Sequence, residues 1–156
     1  MKKKSSFKTD MELHFKTFNE LNTTELYKIL QLRSEVFVVE QNCAYQDIDD
    51  ADFKAIHQLI YKETKLAAYA RILPPRSYFE ELSIGRIVTA FRLRRTGLGH
   101  QLMQEAIDYC QKHFPDQSIK LSAQQYLIKF YESHQFHTQG EGYLEDGIPH
   151  IAMIRN

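Results

Sequence analysis

The residue types most suited to chemistry gather in one short stretch, Arg94-Arg95-Thr96-Gly97-Leu98-Gly99. An apolar run, SIGRIVTA, precedes it and an amphipathic one, HQLMQEAIDYC, follows it. A strand, a glycine turn and a helix start, in that order, make an anion cradle. The first N–H groups of a helix have no intrahelical partner, and the helix dipole places partial positive charge there. Gly97 and Gly99 lack Cβ atoms, so a phosphate can approach the backbone closely. Arg94 and Arg95 add cationic, fork-shaped donors. The group this arrangement suits is a diphosphate. The plainer alternative is a turn whose arginines face water, because short glycine patterns arise by chance. No Gly-Lys-Ser/Thr follows, so the stretch is not a Walker loop. It is a poor dinucleotide fingerprint too, because Gly99 is followed by His100-Gln101-Leu102-Met103 with no third glycine.

Two further pairs bear on chemistry. Gln124 closes the next apolar run and Tyr131 follows seven residues later. An amide there can bond a peptide-like ligand, and a phenol can give a proton to a leaving group. As an ordinary residue, Tyr131 would be a core aromatic. Near the C-terminus, His150 stands just beyond a turn that carries Asp146. The histidine is a candidate base, and Asp146 a candidate orienter or anchor for a cationic amine. The plainer reading makes Asp146-Gly147 a turn and His150 a strand start. Glu40 and His57 are candidates for the acceptor side, with satisfied structural roles as the alternative. Asp47, Asp49, Asp50 and Asp52 lack the glycine and glutamate of a calcium loop and read as a solvated loop. Arg33 falls on the apolar face of its helix, which predicts a buried carboxylate partner such as Glu40 or Asp49. His100, His113, His134 and His137 show no convergent metal spacing, so no metal is expected.

The elements that must position these residues follow from pattern. Residues 12–18 alternate as a strand. Asn22, with Glu25 three residues on, starts a helix through a capping box. Residues 41–52 form a loop. Strands at 55–61 and 66–73 form a hairpin that Pro74 and Pro75 end. A central strand covers 83–90, a helix 98–113, a strand 118–123 and a helix 125–136. A turn at Glu145-Asp146-Gly147 leads into a last strand. This layout is an α/β fold with a mixed sheet, in one domain over residues 11–156. The basic start, MKKKSSFKTD, reads as a flexible tail of residues 1–10 rather than a secretion signal.

Twenty basic residues balance twenty acidic ones, which gives no electrostatic footprint for nucleic acid or an anionic membrane. No apolar stretch is long enough to span a bilayer. Cys43 and Cys110 match no metal spacing and read as reduced thiols of a cytoplasmic protein, with a disulfide as the lesser alternative. A sheet edge at the C-terminal strand offers a route to a homodimer.

The stretch IVTAFRLRRTGLGHQLMQEAI resembles the coenzyme-A motif of the GNAT acyltransferases, with Arg94, Gly97 and Gly99 at its fixed positions. Gln124 stands where that family has an amide and Tyr131 where it has a tyrosine acid. Gln135 replaces the glycine of the family's Tyr-x-x-x-Gly-Phe. LRSEVFVVEQNCAYQDIDDAD, IGRIV and YLEDGIPHIAM resemble the ElaA-like branch. The resemblance implies a mostly antiparallel sheet splayed between its fourth and fifth strands and flanked by helices. It implies acetyl-CoA as co-substrate, with pantetheine along Ile87, Val88 and Thr89 and pyrophosphate on the amides of Arg95, Thr96, Gly97, Leu98, Gly99 and His100. The implied reaction is direct acetyl transfer to an amine on a small molecule or a protein, with Tyr131 as acid. A non-catalytic acyl-CoA sensor on the same fold is the rival reading, because fold alone does not set function.

Overall fold

The computed structural model describes residues 10–156. Of the expected N-terminal tail only Asp10 lies within them, and its carbonyl accepts the Glu63 N–H. Seven strands form one sheet: β1 (Met11–Thr17), β2 (Ile56–Lys62), β3 (Lys65–Leu73), β4 (Leu82–Thr89), β5 (Ile119–Gln124), β6 (His137–Glu145) and β7 (Ile148–Arg155). Their spatial order is β1-β2-β3-β4-β5-β7-β6. The α-helices are α1 (Thr23–Arg33), α2 (Leu98–His113) and α3 (Ile128–Glu132).

Local sequence explains most of these elements. The Asn22 side chain accepts the Glu25 N–H while the Glu25 carboxylate accepts the Asn22 N–H, so α1 starts at the expected box. Two hairpins turn on residues with positive φ, Glu63-Thr64 (49° and 71°) and Asp146-Gly147 (50° and 78°). That twist matches the twist of the paired strands. Alternate strand residues divide between two apolar clusters. Ile60, Ala68, Ala70 and Ile84 pack with Leu102, Met103, Ala106 and Ile107 of α2. Leu59, Tyr69 and Val88 pack with Ile29 and Leu32 of α1. Because strand side chains alternate between faces, α1 and α2 cover opposite sides of the sheet.

The sheet splits in its middle. Every strand pair is antiparallel except β4–β5, and that pair is held only at Leu82↔Ile119 and Ser83↔Lys120. Beyond those two rungs β4 stays with β3 while β5 stays with β7. A bulge adds to the divergence. Tyr69 pairs with Val88 and Arg71 with Gly85, so two β4 residues stand opposite one of β3, and Arg86 takes a φ of +47°.

The structure departs from the sequence pattern in three places. The helix expected over 125–136 is a 3-10 turn (Gln125–Leu127) followed by the short α3. β6 was not expected, because it exposes nearly every residue and carries Gly140 and Gly142, so no alternation marks it. The C-terminal strand β7 is therefore internal, and the edge strands are β1 and β6. Among the described residues no helix is long and apolar enough to cross a membrane.

Candidate active site

The split between β4 and β5 opens a cleft of about 450 Å³. Arg86 and Ile87 line it from β4, Gln124 from β5, Tyr131 from α3, and Glu145 and His150 from the β6–β7 hairpin. Along this gap β4 has no strand partner on its β5 side after Ser83. Backbone groups of Ile87 and Thr89 therefore lie on an open edge, and buried backbone groups must find partners. Val88 itself is buried against the α1 side.

The glycine cradle forms as the sequence suggests. Gly97 is the N-cap of α2 at φ +85°, a conformation that L-residues rarely adopt, and a Cβ there would meet no atom within 4 Å. Gly99 has Phe130 at 3.8 Å, ordinary contact. The space above the turn is open. Thr96 Oγ1 donates to the Leu93 carbonyl at 2.5 Å and tightens the approach to the helix. Arg95 is exposed at φ +62°, and Leu98 is buried in the core. Arg94 lies 5.2 Å from the Phe91 ring and gives both terminal nitrogens to Glu40. Those hydrogen bonds hold the Glu40 carboxyl below the usual carboxylate range, which makes it a weak base. His100 Nδ1 sits 2.9 Å from Nε2 of the buried His134, a pair that the spacing of 34 residues does not reveal.

The aspartate loop differs from its expected solvated state. Asp47 and Asp52 are buried. Arg33 is fully buried and binds Asp47 at 2.9 Å and Asp52 at 2.7 Å, rather than Glu40 or Asp49. Arg71 binds Asp52 and Asp49, and Arg86 binds Asp49 and Asp47. Three arginines and three aspartates thus alternate in a closed ring. Each charge meets two of opposite sign, which offsets a desolvation cost that an isolated buried ion could not bear. The ring fastens the loop to α1, to β3 and to the β4 bulge. His57 lies in the core beside it, fully buried, and does not line the cleft. Its Nε2–H donates to the Asp52 carbonyl and its Nδ1 accepts from Tyr69 Oη. Burial pushes the His57 pKa down.

Tyr131 and His150 both line the cleft. Tyr131 is 6% exposed, and burial pushes its phenol pKa up, so it arrives with its proton in place. His150 pairs across β7 with Gln124. Its Nδ1 is 2.6 Å from the Ile148 carbonyl, which can only accept, so Nδ1 carries a hydrogen and Nε2 is the nitrogen left to exchange a proton. The carboxylate beside Nε2 is Glu145, at 3.3 Å, and not Asp146. The reason is the hairpin: Asp146 sits at the turn tip and is exposed, while Glu145 closes β6 opposite Ile148. Tyr78 Oη donates to Glu145 Oε1 at 2.5 Å and Ser122 Oγ to Oε2 at 3.1 Å. Sequence reading missed Glu145 and Tyr78. Only the YLEDG hairpin signal pointed near them.

Cys43 and Cys110 are both free, Cys43 at the cleft and Cys110 in the core. Among the described residues no group of three or more His, Cys, Asp or Glu side chains is placed to hold a metal ion.

Comparison with known proteins accounts for this architecture. The family model for the acetyltransferase (GNAT) domain matches residues 20–156. The ElaA protein of Escherichia coli K12 is 47% identical over 139 residues, 88% of this chain and 91% of that one. The crystal structure of an acyl-CoA N-acyltransferase from Pseudomonas aeruginosa superposes with a TM-score of 0.89 at 40% identity, covering 94% of this chain and 99% of that one. The crystal structure of Escherichia coli ElaA gives 0.88 at 44%, with the same coverage. The fold is thus shared along nearly the whole chain with these relatives, and the protein belongs to the GNAT acetyltransferase superfamily, in its ElaA-like branch.

Proposed function

We propose that this protein transfers an acetyl group from acetyl-CoA directly to an amine, with Tyr131 as acid and His150 as base. The observation that carries the reading is the convergence of Tyr131, Gln124 and His150 on a gap that opens just past the β4–β5 rungs. The residues present fit the co-substrate. A Cβ at Gly97 would occupy open space over the cradle, and first-turn amides with Arg94 and Arg95 supply donors for a pyrophosphate. Thr96, Leu98, Gly99 and His100 complete that turn, and the free edge of β4 over Ile87, Val88 and Thr89 can pair with an extended pantetheine. When bound, acetyl-CoA supplies an already activated thioester, so no covalent enzyme intermediate is needed.

The chain's own groups do the rest. His150 takes a proton from the acceptor ammonium at Nε2, while Nδ1–H stays fixed on the Ile148 carbonyl. The Glu145 carboxylate 3.3 Å away stabilises the imidazolium that forms. The neutral amine nitrogen bonds to the acetyl carbon, the carbon–sulfur bond breaks, Tyr131 gives its phenolic proton to the departing thiolate, and the second proton shed by the acylated nitrogen restores the phenol. Gln124 holds the pantetheine amide. Glu40 pairs with Arg94 beside the cradle rather than binding the acceptor. No nucleic acid or membrane is required.

The test is thiol release from acetyl-CoA with a panel of amines. Tyr131→Phe is expected to lower kcat about 100- to 10,000-fold, the range of a lost general acid, with CoA affinity by calorimetry unchanged. If CoA binds and no amine raises turnover above hydrolysis, the protein is an acyl-CoA sensor instead.

A further inference from the structure

Three carboxylates line the cleft: Asp49, Glu145 and Asp146. Their circumstances differ. Asp49 is held by two guanidiniums, Arg71 at 2.6 Å and Arg86 at 3.2 Å. Arg71 and Arg86 are the cleft's cations, and both are committed to the closed ring. Among the described residues Glu145 has no Lys or Arg within ion-pair distance; its partners are two hydroxyls and His150. Asp146 is exposed and forms no ion pair there either. Lys120, two residues before Ser122 on β5, places its ammonium 4.8 Å from the Phe79 ring. The cleft therefore carries an excess of negative charge, all of it on the β6–β7 turn.

The hydroxyls aim Glu145 without neutralising it. Tyr78 keeps its proton, because burial and the adjacent carboxylate both push its phenol pKa up. Tyr78 and Phe79 come from the loop between β3 and β4, on the far arm of the split sheet. The Tyr78–Glu145 bond thus bridges the two arms of the sheet across the cleft and fixes the carboxylate there. Ser122 is itself held by Tyr143 at 2.5 Å. A fixed, partly desolvated carboxylate with no Lys or Arg partner favours a cation from outside.

The nitrogen that attacks a thioester must be neutral when it does so. A carboxylate anchor beside the base is therefore of greatest use to an acceptor that keeps a second, charged nitrogen. Building on the acetyl-transfer reading, we infer that Glu145 anchors a second ammonium group, and that the acceptors of this enzyme are small aliphatic diamines or their longer homologues. Asp146 adds to the same field from the rim. His150, 3.3 Å from Glu145, deprotonates the other nitrogen, so a short methylene chain separates the two.

Three acceptors of nearly equal length separate the possibilities: 1,4-diaminobutane, n-butylamine and 4-aminobutyrate. n-Butylamine has a hydrogen where the diamine has its second ammonium, and a methyl where 4-aminobutyrate has its carboxylate. The wild type is expected to prefer the diamine over n-butylamine by about tenfold in kcat/KM, mostly through KM, as one charged hydrogen bond supplies. It is expected to use 4-aminobutyrate least. Glu145→Gln reduces the diamine-to-butylamine ratio towards one, and Glu145→Asp restores part of it. That ratio is blind to any loss shared by both amines through His150, so a purely structural or base-stabilising Glu145 would leave it unchanged. Calorimetry with CoA checks that each variant retains its fold. The inference is overturned if n-butylamine or 4-aminobutyrate equals or exceeds the diamine, or if Glu145→Gln keeps the diamine preference. If CoA binds and none of the three amines, nor a wider amine panel, is acetylated, the acetyl-transfer reading itself fails and this inference falls with it.

Discussion

Arg94 illustrates how a residue's type can be legible while its state is not. Its place before Gly97 marks it as a donor for an anion. In the folded chain it is already bound to Glu40, which closes the long reach from the end of the α1 segment to the cradle. On the proposed reading, a pyrophosphate arriving at the cradle would compete with that carboxylate for the guanidinium. Both side chains are about one-third exposed, so the pair is worth little in water. Glu40→Gln is accordingly expected to tighten CoA binding by about two- to fivefold. Calorimetry at fixed ionic strength reads this directly, and weaker binding would contradict it. Tyr131 lies in a helical pattern and His150 just past a hairpin turn, and both line the cleft. Glu145 was passed over for Asp146, since a one-residue difference in hairpin register is decided by the bulge between Gln139 and Tyr143, which no pattern announces.

Elements show the same division. α2 was readable to its last residue because its apolar stripe is clean and Gly97 and Pro115 bound it. α1 was readable at its start, and its helical run was expected to end at Glu40 and Gln41, but the widening of its last turns was not foreseen. Residues Ser34–Glu40 continue it as a π-helix, with Gln41 N–H to Val36 O at 3.2 Å and Cys43 N–H to Val38 O at 3.1 Å. Such widened turns occur often at functional sites. Here the segment delivers Glu40 to the cradle and Gln41 and Cys43 to the cleft. The end of α3 carries a testable strain. Gln135 adopts φ +67°, a backbone conformation that favours glycine. A side chain there costs about 1–2 kcal/mol, and glycine gives back part of that through greater freedom when unfolded. Gln135→Gly is expected to stabilise the protein by up to about 1 kcal/mol, read as a higher denaturation midpoint. A fall in stability would show that its hydrogen bond from Arg155 matters more than the strain.

At the scale of the whole molecule the ring of Arg33, Asp47, Arg86, Asp49, Arg71 and Asp52 joins α1, the following loop and both strands at the bulge. Burial alone would push the Asp49 pKa up, but hydrogen bonds and charge from Arg71, with the charge of Arg86, outweigh it and hold it at about 2. The same balance, set by Arg33 and Arg71, lowers Asp52. For a carboxylate depressed in the folded state, the linked stability is present above the unfolded value and is lost as pH falls through the folded one. For Asp49 that window runs from 3.8 down to about 2. His57 acts in the same direction from its ordinary 6.5 downward, because the unfolded chain takes up a proton that the buried ring resists. Stability is therefore expected to fall steadily on acidification below about pH 6, most steeply below about pH 4. Urea midpoints across that range test this; a flat profile would refute it.

The sequence by itself determined the fold class, the order of all but one strand, the glycine cradle and the family, since these rest on local periodicity, turn chemistry and motifs contiguous in the chain. Tertiary structure alone decided which charges meet. The six-membered ring, the Glu40–Arg94 pair and the Tyr78–Glu145–His150 cluster join residues far apart along the chain. Their partners are chosen by where the β4 bulge and the β6–β7 register place side chains in a low-dielectric interior.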